Sequence, residues 1–295
     1  MGEAMKGLRS WLGAARERTE DDLRAWLGDG AGWPAELHEA TGYALLGGGK
    51  RLRPALVQLF CEAGGGDLEA ARRPALAIEM IHTYSLVHDD LPCMDDDDLR
   101  RGRPTVHKVY GEAMAVLVGD TLLTEAFLLL AGAEENGLDL VSVLAAAAGA
   151  SGMVGGQVLD LRLPGSEATP DDVRQVHRAK TAALIAAACE LGTIAAGGDE
   201  ARRTAARTYG MSLGLGFQAI DDVLDVVGDA GTIGKTPGKD EVLDRATTVA
   251  ALGLDGARAE AALRAEEARA EARRMGFGPE DRPLLLVDLL LDRES

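Results

Sequence analysis

Apolar residues recur along this chain at helical spacing, and almost nowhere at the strict alternation of a half-buried strand. Residues 4–28 begin the pattern, with Leu8, Trp11, Leu12 and Ala15 on one face. Trp33-Pro34 opens a second helix, which runs towards Leu46 and stops at Gly47-Gly48-Gly49. Pro54 suits the first turn of a third, through about Ala63. Leu76, Met80, Tyr84 and Val87 form one stripe of a fourth, between Leu68 and Leu91. Gly102 and Pro104 mark a loop, after which 105–134 and 138–162 read as two long apolar helices. Thr169-Pro170-Asp171-Asp172 is a helix start, with cap, proline and acids in the first turn, and that helix is expected to reach about Ala196. The next starts at Asp199 and ends near Gly228. Shorter helices are expected over 242–252, 255–275 and 280–292. The 255–275 segment alternates Ala, Glu and Arg and reads as a solvated helix with a thin apolar stripe, braced by Glu260 and Arg264. The expectation is an all-α, single-domain helical bundle spanning residues 1–295, built around a central cavity.

Composition narrows the function classes. The chain has 295 residues, 46% of them hydrophobic, and a formal net charge of −17. That charge argues against nucleic acid and anionic membrane surfaces as main partners. Cys61, Cys93 and Cys189 are sparse and widely separated, which fits reduced thiols in a cytoplasmic protein. The alanine-rich runs are interrupted by polar residues or glycine, so no integral membrane segment is expected.

Two acidic clusters lie on these apolar helices. The first is Asp89-Asp90-Leu91-Pro92-Cys93-Met94-Asp95-Asp96-Asp97-Asp98, followed by Arg100 and Arg101. The second is Asp221-Asp222-Val223-Leu224-Asp225, where Asp221 and Asp225 share a helix face. Crowded carboxylates raise one another's pKa unless a cation sits among them. Oxygen ligands without His or Cys spacing favour magnesium, manganese or calcium over zinc. The calcium-loop pattern does not fit Asp95 to Gly102, because no glycine stands at its sixth position. Basic residues stand nearby: Lys50, Arg51 and Arg53 beyond the triple glycine, Lys180 in an alanine-rich helix, and Lys235 and Lys239 in a glycine-bearing loop. An ammonium in apolar surroundings needs a partner, so Lys180 is the least easily read as a surface charge.

These residues together resemble the trans-isoprenyl diphosphate synthases. The resemblance rests on Asp89-Asp90-x4-Asp95 with Arg100-Arg101-Gly102, and on Asp221-Asp222-x2-Asp225. It continues in Gly48-Gly49-Lys50-Arg51-Leu52-Arg53-Pro54, His82, Gly155-Gly156-Gln157-x2-Asp160, Lys180-Thr181, Phe217-Gln218 and Gly234-Lys235. The segment from Tyr84 to Gly102 looks most like the bacterial farnesyl diphosphate synthases. One departure stands after the second motif, where Arg245 replaces the family's usual lysine.

The resemblance implies an isoprenoid synthase fold with both acidic motifs at the mouth of the cavity. It implies that Asp89, Asp95 and Asp221, supported by Asp90 and Asp225, hold about three Mg2+ ions, with Mn2+ as a possible substitute. Arg100, Lys180 and Lys235 would stabilise a leaving diphosphate, and Thr181 and Gln218 would sit near the allylic group. Lys50, Arg53, His82 and Arg101 would take isopentenyl diphosphate, and His88 would be structural. Tyr84, one and a half turns before Asp89, would floor the cavity beside the small Ser85 and set a farnesyl (C15) product, with geranyl or geranylgeranyl diphosphate as alternatives. The family is usually homodimeric, and helix 105–134 is the candidate interface. A class I terpene cyclase fits less well, because its second motif typically mixes Asn, Ser and Glu with Asp. A non-catalytic partner subunit also fits less well, because such subunits usually lose the aspartates.

Overall fold

The computed structural model describes residues 2–28, 32–133, 135–227 and 245–291. Helices dominate: α1 (Gly2–Gly28), α2 (Ala35–Leu45), α3 (Leu52–Ala63), α4 (Leu68–Asp89), α5 (Val106–Tyr110), α6 (Glu112–Ala131) and α7 (Gly137–Ala148). They continue with α8 (Met153–Arg162), α9 (Pro170–His177), α10 (Ala183–Ala195), α11 (Glu200–Val227), α12 (Thr248–Arg274) and α13 (Arg282–Leu291). Among the described residues the only sheet is a two-stranded hairpin, β1 (Leu99–Arg100) against β2 (Arg103–Pro104).

The centre is set by the helices that are apolar on every side. α10 is buried without interruption from Leu184 to Ile194, and α3 from Pro54 to Cys61. A helix with no polar face has to lie inside. α4 and α11 pack against this pair, and the buried apolar side chains form one contiguous cluster from Leu8 to Leu291. α12 covers α11 through a stripe of Ala257, Ala261, Ala265, Ala268 and Ala272, the thin apolar face expected from its sequence. Arg264 bonds Glu260 one turn before it.

Several boundaries differ from expectation. The 138–162 pattern is two helices, because Gly149 to Gly152 break it between α7 and α8. The 105–134 pattern is also two, parted at Gly111 (φ 86°). Conversely, the expected break between 252 and 255 falls inside α12, which kinks at Gly253 and continues. Between α9 and α10 the chain stays helical but widens to a π-turn over Arg178–Ala182. One expectation is corrected by length: α6 (20 residues, mean hydropathy 1.8) is long and apolar enough to cross a membrane. The 137–162 stretch reaches a similar hydropathy but is bent at the Gly149–Gly152 break, leaving helices of 12 and 10 residues.

Candidate active site

The first acidic motif gets its shape from how α4 ends. Pro92 stops the helix, and the chain doubles back on itself. The Asp95 N–H donates to the carbonyl of Asp89 (2.8 Å) and the Asp97 N–H to that of Asp90 (3.2 Å). The four-residue insert therefore closes a compact loop that sets Asp95 beside Asp89. Burial pushes the Asp89 carboxyl up to about 6; Asp95 and Asp90 add to this, while Lys180 and Arg100 oppose it.

The hairpin after this loop turns at Arg101-Gly102, both at positive φ (53° and 75°), a turn that matches strand twist. It splits the two arginines. Arg100 turns back to the buried Asp90, with Nε and Nη2 at 2.7 and 2.6 Å from Oδ1, and reaches Asp97 at 3.5 Å. Asp90 is thus already neutralised and braces the loop from behind. Arg101 crosses to the glycine turn, where its Nη1 donates to the carbonyl of Gly48. It passes so close to Gly49 (φ 138°) that a Cβ there would meet the guanidinium at 2.6 Å.

A cationic pocket forms around that crossing. Arg53 is half-buried with Nε unbonded, and burial, seconded by Arg101, pushes its guanidinium pKa down against the pull of Glu79. Burial, then Arg53, Arg101, Arg100 and Arg51, hold His82 well below the usual imidazole range, so its ring is neutral. Lys50 is exposed at the rim. Arg51, its neighbour, points the other way, into the core, against Glu20 (2.7 Å) and Glu79 (2.6 Å).

The opposite wall is built by α8, the π-turn and α11. Lys180 finds the partner its burial requires in Asp160 (2.6 Å). Thr181 Oγ1 donates to Gln218 Oε1 (3.0 Å), and Gln218 Nε2 donates to Asp222 Oδ1 (3.0 Å). Asp222 Oδ2 also accepts the Thr248 N–H (2.7 Å), which ties the start of α12 to α11. Asp221 and Asp225 are half-buried, flanking this buried carboxylate. The wall meets the first motif twice, through the Lys180 charge acting on Asp89 and through Arg245, whose Nη2 lies 2.5 Å from Asp95 Oδ1.

Tyr84 is buried in the core one and a half turns below Asp89 and stacks edge-on with His88 (5.8 Å). Ser85 is half-buried and bonds the carbonyl of His82 (2.9 Å). His88 reaches the carbonyl of Val116 on α6 (3.1 Å), a structural contact as expected. Lys235, Lys239 and Gly234 lie outside the described residues. A side group of Asp96, Asp98 and His107 brings ligand atoms within 4.8 Å of one another, but Asp98 is already paired with Lys108 (2.7 Å). Sequence reasoning did not single out Asp222 or assign Arg245 a place. For Asp222 the signal was its seat between Ile220 and Val223 on the apolar face of α11.

Comparison with known proteins places this geometry. The polyprenyl synthetase family model matches residues 34–274. The farnesyl diphosphate synthase of Escherichia coli is 48% identical over 231 residues, covering 76% of this chain and 77% of that one. The farnesyl diphosphate synthase of Bacillus subtilis is 43% identical over 257 residues (85% and 86%). A chloroplastic geranylgeranyl pyrophosphate synthase of Arabidopsis thaliana is 46% identical over 255 (83% and 70%). Among solved structures, a geranyltransferase from Legionella pneumophila superposes with TM-score 0.85 at 34% identity (98% and 99% coverage). A geranyltransferase from Helicobacter pylori, complexed with magnesium and isoprenyl diphosphate, does so at 0.80 and 33% (96% of each chain).

Proposed function

This chain belongs to the polyprenyl synthetase family of prenyltransferases, and from that premise we propose that it makes farnesyl diphosphate from isopentenyl diphosphate and the allylic dimethylallyl and geranyl diphosphates. The observation that carries the reading is a pair of adjoining pockets of opposite sign. Carboxylates of Asp89 and Asp95 crowd one side, while Arg53, Arg101 and a neutral His82 line the other. In a protein of net charge −17, such a local positive field needs an anionic ligand to justify it.

The acid side fits magnesium. Its donors are all hard carboxylate oxygens, and burial keeps Asp89 at about 6, a desolvated group lacking a full counter-charge. Asp89, Asp95 and Asp221 would hold about three ions, with Asp225 in support and Mn2+ able to substitute. Bound there, magnesium supplies positive charge to a leaving diphosphate. Lys180 holds that diphosphate from the π-turn, oriented by Asp160, and Lys235 joins it on the sequence resemblance alone. Thr181, fixed by Gln218, faces the allylic group. Arg100, Asp90's partner, holds the loop in register with both substrates.

The reaction then runs on the substrates' own electrons. The allylic C–O bond breaks and its electron pair leaves with the diphosphate. The isopentenyl double bond, presented by Lys50, Arg53, His82 and Arg101, attacks the vacated carbon. The adjacent proton passes to the departing diphosphate, and a new double bond forms. Tyr84, buried beneath Asp89, blocks further growth and supports the C15 product over the C20 product of the geranylgeranyl relatives.

We further read the chain as a single cytoplasmic domain acting as a homodimer. The exposed Val116, Leu117 and Leu128 of α6 offer the partner face. Product analysis with each allylic primer, with magnesium and with EDTA, tests the whole reading. Farnesyl diphosphate and released diphosphate are expected with magnesium alone; no diphosphate release under any condition would sink it.

A further inference from the structure

Arg245 stands where the sequence departs from its relatives, and the structure gives it a definite place. Its guanidinium forks across two carboxylates, with Nη2 at 2.5 Å from Asp95 and Nη1 at 3.6 Å from Asp160. Both acids are largely buried, with side chains 12% and 9% exposed. The fork closes a chain of alternating charge: Asp95, Arg245, Asp160, Lys180. The backbone beneath it is anchored. Thr247 caps α12 by accepting the Ala250 N–H (3.1 Å), and Thr248 is tied to Asp222. Only the side chain is therefore long enough to move, and it borders an open pocket lined by Met94, Asp95, Asp160, Leu163 and Arg245.

We propose that Arg245 is the built-in counter-ion of the metal site: without metal it neutralises Asp95 and Asp160, and a divalent cation loads by displacing it. This rests on the reading of Asp89 and Asp95 as metal ligands. A guanidinium and a divalent cation compete for the same oxygen of Asp95, and their mutual repulsion forbids both from holding it closely. Arginine suits this role where lysine does not, because a planar fork spans two carboxylates while an ammonium is a point charge. The arrangement keeps the two walls at their working separation before the ion arrives. It also sets a threshold, since metal affinity is lowered by whatever the fork contributes.

The test is Mn2+ binding to the substrate-free protein, read by the EPR signal of free Mn2+ and by calorimetry. Arg245→Gln is expected to bind Mn2+ about tenfold more tightly than the native chain, and Arg245→Lys to show a smaller gain. A tightening is not a result that misfolding produces. In the native chain, the Arg245 side-chain Nε–H resonance is expected to shift as Mg2+ is added. Binding by Arg245→Gln that is equal or weaker, or an Arg245 resonance that Mg2+ leaves in place, overturns the inference while the metal site stands. A native chain that binds no Mn2+, even with inorganic diphosphate present, removes the metal reading and this inference together.

Discussion

Asp89 is desolvated by its position at the foot of the cleft, and this gives the site a pH dependence. Its carboxyl is raised from 3.8 to about 6, with burial the largest cause. The folded protein therefore holds a proton there that the unfolded chain has lost, and Asp89 stabilises the fold least above pH 6. Metal requires the ionised form. Mn2+ affinity is expected to fall about tenfold per pH unit below 6 and to level off above it, one proton being released per ion. A titration that is flat between pH 5 and 7 would contradict this. Tyr84 carries the second residue-scale prediction. Tyr84→Ala removes an aromatic floor, so products longer than C15 should appear by mass spectrometry; an unchanged product would show that the floor lies elsewhere. Both residues were legible in the sequence, Asp89 from its motif and Tyr84 from its helical offset. The partners of Asp90 and Lys180 were not, because Arg100 and Asp160 are brought to them by a hairpin and a neighbouring helix.

At the scale of elements, the π-turn decides where Lys180 and Thr181 point. Sequence periodicity passes smoothly through 169–196, and one extra residue in a turn leaves no trace in it. The widened turn lies directly over Gly156 of α8. A Cβ at Gly156 would overlap the Lys180 backbone and stand 2.8 Å from the Ala179 carbonyl carbon. Gly156→Ala is expected to cost about 1–3 kcal/mol by overpacking, and to lower kcat by shifting Lys180 away from Asp160. A melting temperature and kcat equal to the native values would show that α8 can retreat. Helix breaks were harder to read than helix faces. Gly149 to Gly152 ends a helix while Gly253 only kinks one, and the packing of α12 on α11 across the kink makes that difference.

At the scale of the whole molecule, Arg51 joins four helices near the site. It caps the start of α3 and bonds Glu20 of α1, the Leu45 carbonyl at the end of α2 and Glu79 of α4. Arg51→Met would leave Glu79 buried and uncompensated, at a cost of about 3–5 kcal/mol in unfolding free energy. Adding Glu79→Gln should recover part of it; equal stability of the single variant and the native chain would refute the bracing role. Read from sequence alone, Arg51 was one basic residue among several beside Lys50 and Arg53, and only the left-handed backbone at Arg51 (φ 49°) sends it inward. The sequence by itself determined the helical class, the two acidic motifs and the basic residues to go with them. Those follow from periodicity and residue chemistry, which are local. Tertiary structure decided which charges meet: Asp90 with Arg100, Lys180 with Asp160, and Asp95 with Arg245 across 150 residues. Such pairings depend on how helices cross and where a loop folds back, and no local pattern encodes the distance between two side chains on different helices.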